Sequence, residues 1–244
     1  MNRFFRFILF ISFLITCLPS FAQTDKKDSS YSLLALESAI AQYREFEGPQ
    51  SRLYNGTIYR DNSSTLSQGH PYFESNELSP AAIHYDGMVY NVPMLYNLVT
   101  EEVIIPHYNK VFKMVLLNDK IKEFYLLDHH FVRVVEKSPG DLLRTGFYEQ
   151  LFKGRLTIFK KTDKMINEII VNDKLTRFIQ SSTSYYLQKD NVWHNVSGLR
   201  SVWALVGDQK SEIKRDLKKN KIKFRKHPDE ALVKIAAYYE TLSK

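Results

Sequence analysis

The sequence predicts an α+β fold: a curved antiparallel meander sheet with one helix before it and about three helices after it that pack on or close it. Helical spacing of apolar residues is confined to the two ends of the chain, while the interval 53–196 is made of short apolar or aromatic runs separated by turn dipeptides. Composition points the same way. Hydrophobic residues make up 44%, with 15 Tyr and 16 Phe against only 9 Gly and 8 Pro, which is a globular chain leaning toward sheet.

The first 22 residues read as a secretory signal peptide, because Arg3 and Arg6 precede an acid-free apolar run, Phe7 to Leu18, and Ser20 and Ala22 sit at −3 and −1 of a cut before Gln23. That run is too short for a membrane span, which needs about 20 apolar residues, and no later stretch approaches that length. The expected address is periplasmic or secreted. Cys17 follows Leu14-Ile15-Thr16, loosely like a lipoprotein signal, so a lipid anchor at Cys17 is the competing expectation. As the only cysteine it excludes an intramolecular disulfide framework. After the cut 222 residues remain, read as a polar tether over 23–30 and a single domain over 31–244, β-rich at 53–196 and helical at 198–242.

The elements follow in order. Ser30 caps a helix whose stripe is Leu33, Leu36, Ile40 and Tyr43 and whose stop is Gly48. Asn55-Gly56 and Asp86-Gly87 accept positive φ at both central positions of a type I′ turn, so each predicts a tight hairpin; Asn118-Asp119, Lys153-Gly154, Asn172-Asp173 and Asp190-Asn191 are weaker versions. Strands are expected at 81–85, 88–92, 94–99, 102–106, 110–117, 121–127, 130–136, 146–152, 155–161, 166–171, 175–181, 184–189 and 192–196. Short connections make neighbours antiparallel. Val111 to Leu117 is apolar on both faces except at Lys113, which predicts a central covered strand, whereas Arg155, Thr157 and Lys161 oppose Leu156 and Ile158 and predict a wet face. At the end, Leu199, Val202, Trp203 and Val206 form a stripe closed by Gly207, Ile213 and Leu217 follow among lysines, and Pro228 opens a last helix buried through Leu232, Ile235, Ala236, Tyr239 and Leu242.

Charge is concentrated in one place. The precursor carries +7, and nine basic residues against Glu212 and Asp216 give the segment 209–227 the same net +7, so all the rest sums to zero with the leader and −2 without it. The candidate binding residues are therefore Lys210, Lys214, Arg215, Lys218, Lys219 and Lys221, a cationic surface for anionic lipid headgroups, phosphates or polyanionic sugar; the plain alternative is a solvated helix face. Secretion argues against nucleic acid. An anionic envelope surface or another envelope protein is the expected partner.

Catalytic signals are thin. No Gly-x-Ser-x-Gly elbow, P-loop, GxGxxG or HExxH occurs, and no cofactor or metal is implied. Asp128-His129-His130 resembles the signature of DHH phosphoesterases over three residues, without that family's other motifs, and adjacent strand residues point to opposite faces. The expectation is a noncatalytic binding or accessory module; the alternative is a hydrolase assembled in three dimensions around Asp86, Asp128 and His129. The tyrosines are expected chiefly as core and cross-strand packing, with a ligand groove as the alternative.

Tyr85-Asp86-Gly87 through Asn91-Val92-Pro93-Met94-Leu95-Tyr96, together with Trp203-Ala204-Leu205-Val206-Gly207-Asp208-Gln209-Lys210 through Asn220-Lys221-Ile222-Lys223-Phe224 to Ala237-Tyr238-Tyr239, resembles a set of secreted proteins of Bacteroidota-type bacteria with a hairpin-rich middle and a lysine-rich helical tail. That resemblance implies an envelope location and carries no activity or site residue.

Overall fold

The computed structural model describes residues 34–36, 38–40, 42, 48, 51–61, 65–138 and 141–242. The leader, its cleavage site, Cys17 and the 23–30 tether lie outside them. The chain divides into two compact units, Met1–Gly48 and Pro49–Lys244. In the first, positions 34–36, 38–40 and 42 are helical, where the stripe after Ser30 predicts a helix.

The second unit is α+β, built on antiparallel sheets with its helices at the C-terminal end. Its strands are β1 (Thr57–Ile58), β2 (Ala81–Tyr85), β3 (Met88–Asn91), β4 (Leu95–Asn97), β5 (Glu102–Pro106), β6 (Lys113–Val115), β7 (Ile121–Leu126), β8 (His129–Val134), β9 (Gly146–Phe152), β10 (Leu156–Val171), β11 (Lys174–Lys189) and β12 (Val192–Asn195). They form two sheets, one of eight strands in the order β12-β11-β10-β9-β8-β7-β2-β3 and one of four in the order β1-β6-β5-β4. Three helices follow: α1 (Leu199–Val206), α2 (Lys210–Lys219) and α3 (Pro228–Leu242).

Turn chemistry explains most of this order. Asp86 and Gly87 have φ of 49° and 82°, Asn172 and Asp173 of 50° and 61°, and Asp190 and Asn191 of 50° and 63°, so each pair turns with both residues left-handed and closes a hairpin in register. Asn55-Gly56 does not. Its following strand, β1, pairs far down the chain with β6, Thr57 opposite Val115, and the glycine is required because the Val115 carbonyl approaches it. Asn118-Asp119 opens a 3-10 turn, Asn118–Lys120.

Three further expectations are corrected. The runs 155–161 and 166–171 are one strand, and so are 175–181 and 184–189, because Thr162 and Asp163 pair across to Thr183 and Ser182 and polar side chains alone do not end a ladder. The stretch 110–117 is not a covered strand: only Lys113–Val115 pairs, while Val111 is 74% exposed in a loop closed by the Lys110 N–H on the His107 carbonyl and the His107 N–H on the Phe112 carbonyl. Lys161, expected on the wet face, is only 3% exposed. Its ammonium meets Glu101 at 2.8 Å, the Phe147 carbonyl at 3.0 Å and the Tyr148 ring, and these partners offset part of its desolvation.

Two large apolar clusters hold the unit together. One joins both sheets through Tyr85, Tyr96, Val103, Met114, Phe124 and Phe131, with Phe124 and Phe131 stacked and Tyr96 edge-on to each. The other seats the helices on the long hairpin, Val202, Ile213, Leu232 and Ile235 against Leu156, Ile158 and Leu187. The helices cover the sheet as their apolar stripes require.

Burial of phenols has a pH consequence. Desolvation, the first cause in each case, raises the pKa of Tyr72, Tyr85, Tyr96 and Tyr185, and pushes Tyr148 up to about 12. A phenol with a raised folded pKa contributes stability that is complete below its unfolded value of about 10 and is lost as pH rises through the folded one. Lys161 and Lys164, lowered by burial, act in the opposite sense up to their unfolded value of 10.5, so the loss belongs to higher pH. Absorbance titration is expected to show Tyr72, Tyr85, Tyr96, Tyr148 and Tyr185 ionising only above the ordinary phenol range, as the protein unfolds. Reversible ionisation of these side chains at the ordinary phenol value in the folded protein would refute this assignment.

Candidate functional site

The most developed candidate is a groove beside α1 and α2. Leu199 and Trp203 come from α1; Lys214, Leu217 and Lys218 come from α2; Lys221, Ile222, Lys223 and Phe224 come from the connector to α3. The local sequence fixes this arrangement. Lys214 and Lys218 are four apart and share one helix face, which places them over the same side as Leu217. At the end of α2 the Asn220 amide and backbone N–H bond to the Asp216 carbonyl, Lys221 turns left-handed with φ 57°, and the Ile222 N–H returns to the Leu217 carbonyl at 3.0 Å. That reversal brings Ile222 and Phe224 back against the helix they have just left.

The result is an open groove of about 840 Å³ with an apolar floor and four lysines around it. No acid lines it. Asp216, the nearest by sequence, is half-buried and faces α3, 3.9 Å from Lys234. The Lys214 ammonium lies 5.7 Å from the Trp203 ring centroid, a cation–π contact that leaves the charge at the rim.

Of the six residues expected from the charge run, Lys214, Lys218 and Lys221 meet here. Lys210, Arg215 and Lys219 are exposed but do not line the groove. Sequence reasoning missed Lys223 and assigned Leu199 and Trp203 to packing alone. The signal for these two was the width of the α1 stripe: Val202 and Val206 fill the core, and Leu199 and Trp203 are left half-exposed beside it.

The second candidate set does not converge. Asp86 lies in the β2–β3 turn, next to Lys120 at 3.4 Å and hence at the start of β7, while Asp128 and His129 follow the end of β7. The six-residue strand between them separates the two groups by roughly 20 Å. His129 and His130 diverge as adjacent strand residues must: His129 Nδ1 faces Glu149 at 2.6 Å and its Nε2 faces Glu74 at 3.2 Å, whereas His130 meets Glu123 at 3.0 Å and stacks on Tyr125. No set of three or more acidic, histidine or cysteine side chains among the described residues is placed to hold a metal. No helix there is long and apolar enough to cross a membrane.

Of the tyrosines, Tyr72, Tyr85, Tyr90 and Tyr96 are buried in packing. This chain matches no protein-family model, no curated protein and no solved structure.

Proposed function

We propose that this chain is a noncatalytic envelope module, exported by its N-terminal leader to the periplasm or beyond, whose α1–α2 groove holds an amphipathic anion: an acyl chain carrying a phosphate or carboxylate head. One observation carries the reading, an apolar floor of Leu199, Trp203, Leu217, Ile222 and Phe224 rimmed by four lysines with no acid in the lining. Each methylene taken from water contributes about 0.8 kcal/mol, and each lysine near an anionic surface about 1 kcal/mol. A purely polar anion would leave the floor wet and a neutral alkyl chain would leave the ammonium groups without a counter-charge. A volume of about 840 Å³ is within the usual range for a small-molecule site.

The test is titration with dodecyl phosphate, dodecyl maltoside and inorganic phosphate, followed by the fluorescence of Trp203 and assigned through Trp203→Phe. Dodecyl phosphate is expected to bind, with affinity falling as salt rises. The double variant Lys214→Glu, Lys218→Glu is expected to bind it at least about thirtyfold more weakly, since two lysines together supply about 2 kcal/mol. Equal binding of the maltoside, or no response to any of the three, would sink the proposal. Export is tested by the mass of the mature protein, expected to begin at Gln23; an intact Met1 on cytosolic protein, or a lipid on Cys17, would overturn that part.

A further inference from the structure

A second site is suggested by the outer edge of the four-stranded sheet. β1 ends that sheet, with β6 on one side only. The Tyr59 N–H donates to the Lys113 carbonyl at 2.9 Å, so in antiparallel alternation the N–H and carbonyl of Ile58 point away from β6. Neither has a partner among the described residues. An unpaired edge of this kind is a template for another strand.

A cavity of about 380 Å³ opens beside this edge. It lies over the sheet face that carries Thr57 and Val115, which pair across β1 and β6, and Asn97 and Glu102, which pair across β4 and β5. Its walls are largely aliphatic: Leu66, Val99, Val115 and Ile166. Its floor is fixed in place. Asn97 Oδ1 accepts the Val99 N–H at 2.9 Å, its amide donates to the Tyr59 hydroxyl at 3.4 Å, and that hydroxyl is 3.1 Å from the Tyr72 hydroxyl. Two opposite charges stand at the cavity without neutralising each other: Glu102 takes a hydrogen bond from the Thr100 hydroxyl at 2.7 Å, and Arg60 has no ion-pair partner among the described residues.

We propose that β1 and this cavity form a recognition site for an extended peptide, which adds as a strand to the free edge at Ile58 and seats one branched aliphatic side chain in the cavity. An acidic residue on one side of that side chain meets Arg60, and a basic residue on the other meets Glu102. Main-chain pairing supplies affinity in this mode, and the cavity and charges supply selectivity. The chemistry favours a peptide over the nearest rivals. A sugar ring calls for aromatic platforms, and the one aromatic residue here, Tyr59, has its hydroxyl tied to Asn97 and Tyr72. An acyl anion has no use for Glu102. The site is separate from the lysine groove and stands or falls apart from it.

The probes are two capped pentapeptides, acetyl-Glu-Thr-Val-Thr-Lys-amide and its reverse acetyl-Lys-Thr-Val-Thr-Glu-amide, in which the central valine and both charges share one face of the strand, titrated into the isotope-labelled protein and followed by amide chemical shifts. One of them is expected to give saturable shifts at Ile58 and Arg60. Ile58→Pro removes the outward N–H while leaving the Tyr59 bond to Lys113, so it is expected to keep the Tyr59 amide protected and to weaken binding by at least about tenfold. If that variant fails to fold, the pair Arg60→Ala, Glu102→Gln serves instead, with the same loss for the charged peptide and none for acetyl-Thr-Thr-Val-Thr-Thr-amide. Three results would overturn the proposal: no shift with either charged peptide at about 5 mM, shifts at Arg60 that leave the Ile58 amide still, or preferential occupation of the cavity by chitobiose.

Discussion

Replacing Glu149 by alanine is expected to lower the unfolding free energy by about 3 kcal/mol, measured by denaturant titration. Glu149 sits in β9 with its side chain 5% exposed, and each of its oxygens faces a cationic or ionisable partner. Oε1 meets His129 Nδ1 at 2.6 Å. Oε2 lies 3.3 Å from the Lys160 ammonium, close enough for attraction but without the alignment of a hydrogen bond, so this contact is coulombic. Lys160 continues to Asp229 at 2.8 Å, and Asp229 accepts a hydrogen bond from the Tyr185 hydroxyl. Burial opposes the charge on Lys160, but Asp229 and Glu149 together outweigh it and hold its pKa above the usual value.

The chain of contacts therefore ties β8, β9, β10 and β11 to the first turn of α3, and truncation at its centre leaves Lys160 short of a counter-charge and His129 Nδ1 short of a hydrogen-bond partner. Breaking a buried pair from one side costs about 3–5 kcal/mol. The low end applies here because Lys160 keeps Asp229 and His129 keeps Glu74. Glu149→Gln preserves length and some hydrogen bonding, and is expected to cost about half as much. A change below about 1 kcal/mol for the alanine variant would show that the network is not stabilising at all.

What the chain reveals in advance, and what it conceals, divides along the range of the interactions. Asp86-Gly87 and Asp190-Asn191 announce their hairpins because the two residues alone settle the backbone, and Pro228 with Asp229 and Glu230 announces α3 for the same reason. Lys161 could not be placed from its neighbours, since its partner Glu101 lies sixty positions earlier and reaches it only once the two sheets meet. The same holds for Glu149, an unremarked acid in the sequence that finds His129 and Lys160 across two strand pairs. Of the lysine groove, the charge was legible as a run of basic residues, but its apolar floor was not. Leu199 and Trp203 look like any core stripe until α1 docks and only Val202 and Val206 are fully covered.

Gly56 is where a local reading was most misleading, and Gly56→Ala is expected to have the second large effect. As half of an Asn-Gly pair it suggests a left-handed turn residue, yet it is absent from the positive-φ glycines of the fold. Its constraint is space. A Cβ built there would lie 1.9 Å from the Val115 carbonyl oxygen and 2.9 Å from its carbon, both backbone atoms, so no side-chain rotation relieves the clash. β6 is held between β1 and β5 and cannot retreat without disturbing β5. The strand that must give way is β1. Because it is two residues long at an edge, its release bounds the damage: a few ladder bonds at about 1 kcal/mol each, for a total of about 2–3 kcal/mol. The loss is expected to be local, with hydrogen exchange at the Tyr59 amide losing its protection and exchange within the Phe124 core unchanged. Gly87→Ala is the control. That glycine has φ of 82° but nothing within 4 Å of the new methyl group, so it should carry only the backbone penalty of about 1 kcal/mol. Should Gly56→Ala leave stability and Tyr59 protection untouched, the close pairing of β1 with β6 would have to be abandoned, and the peptide site at that edge with it.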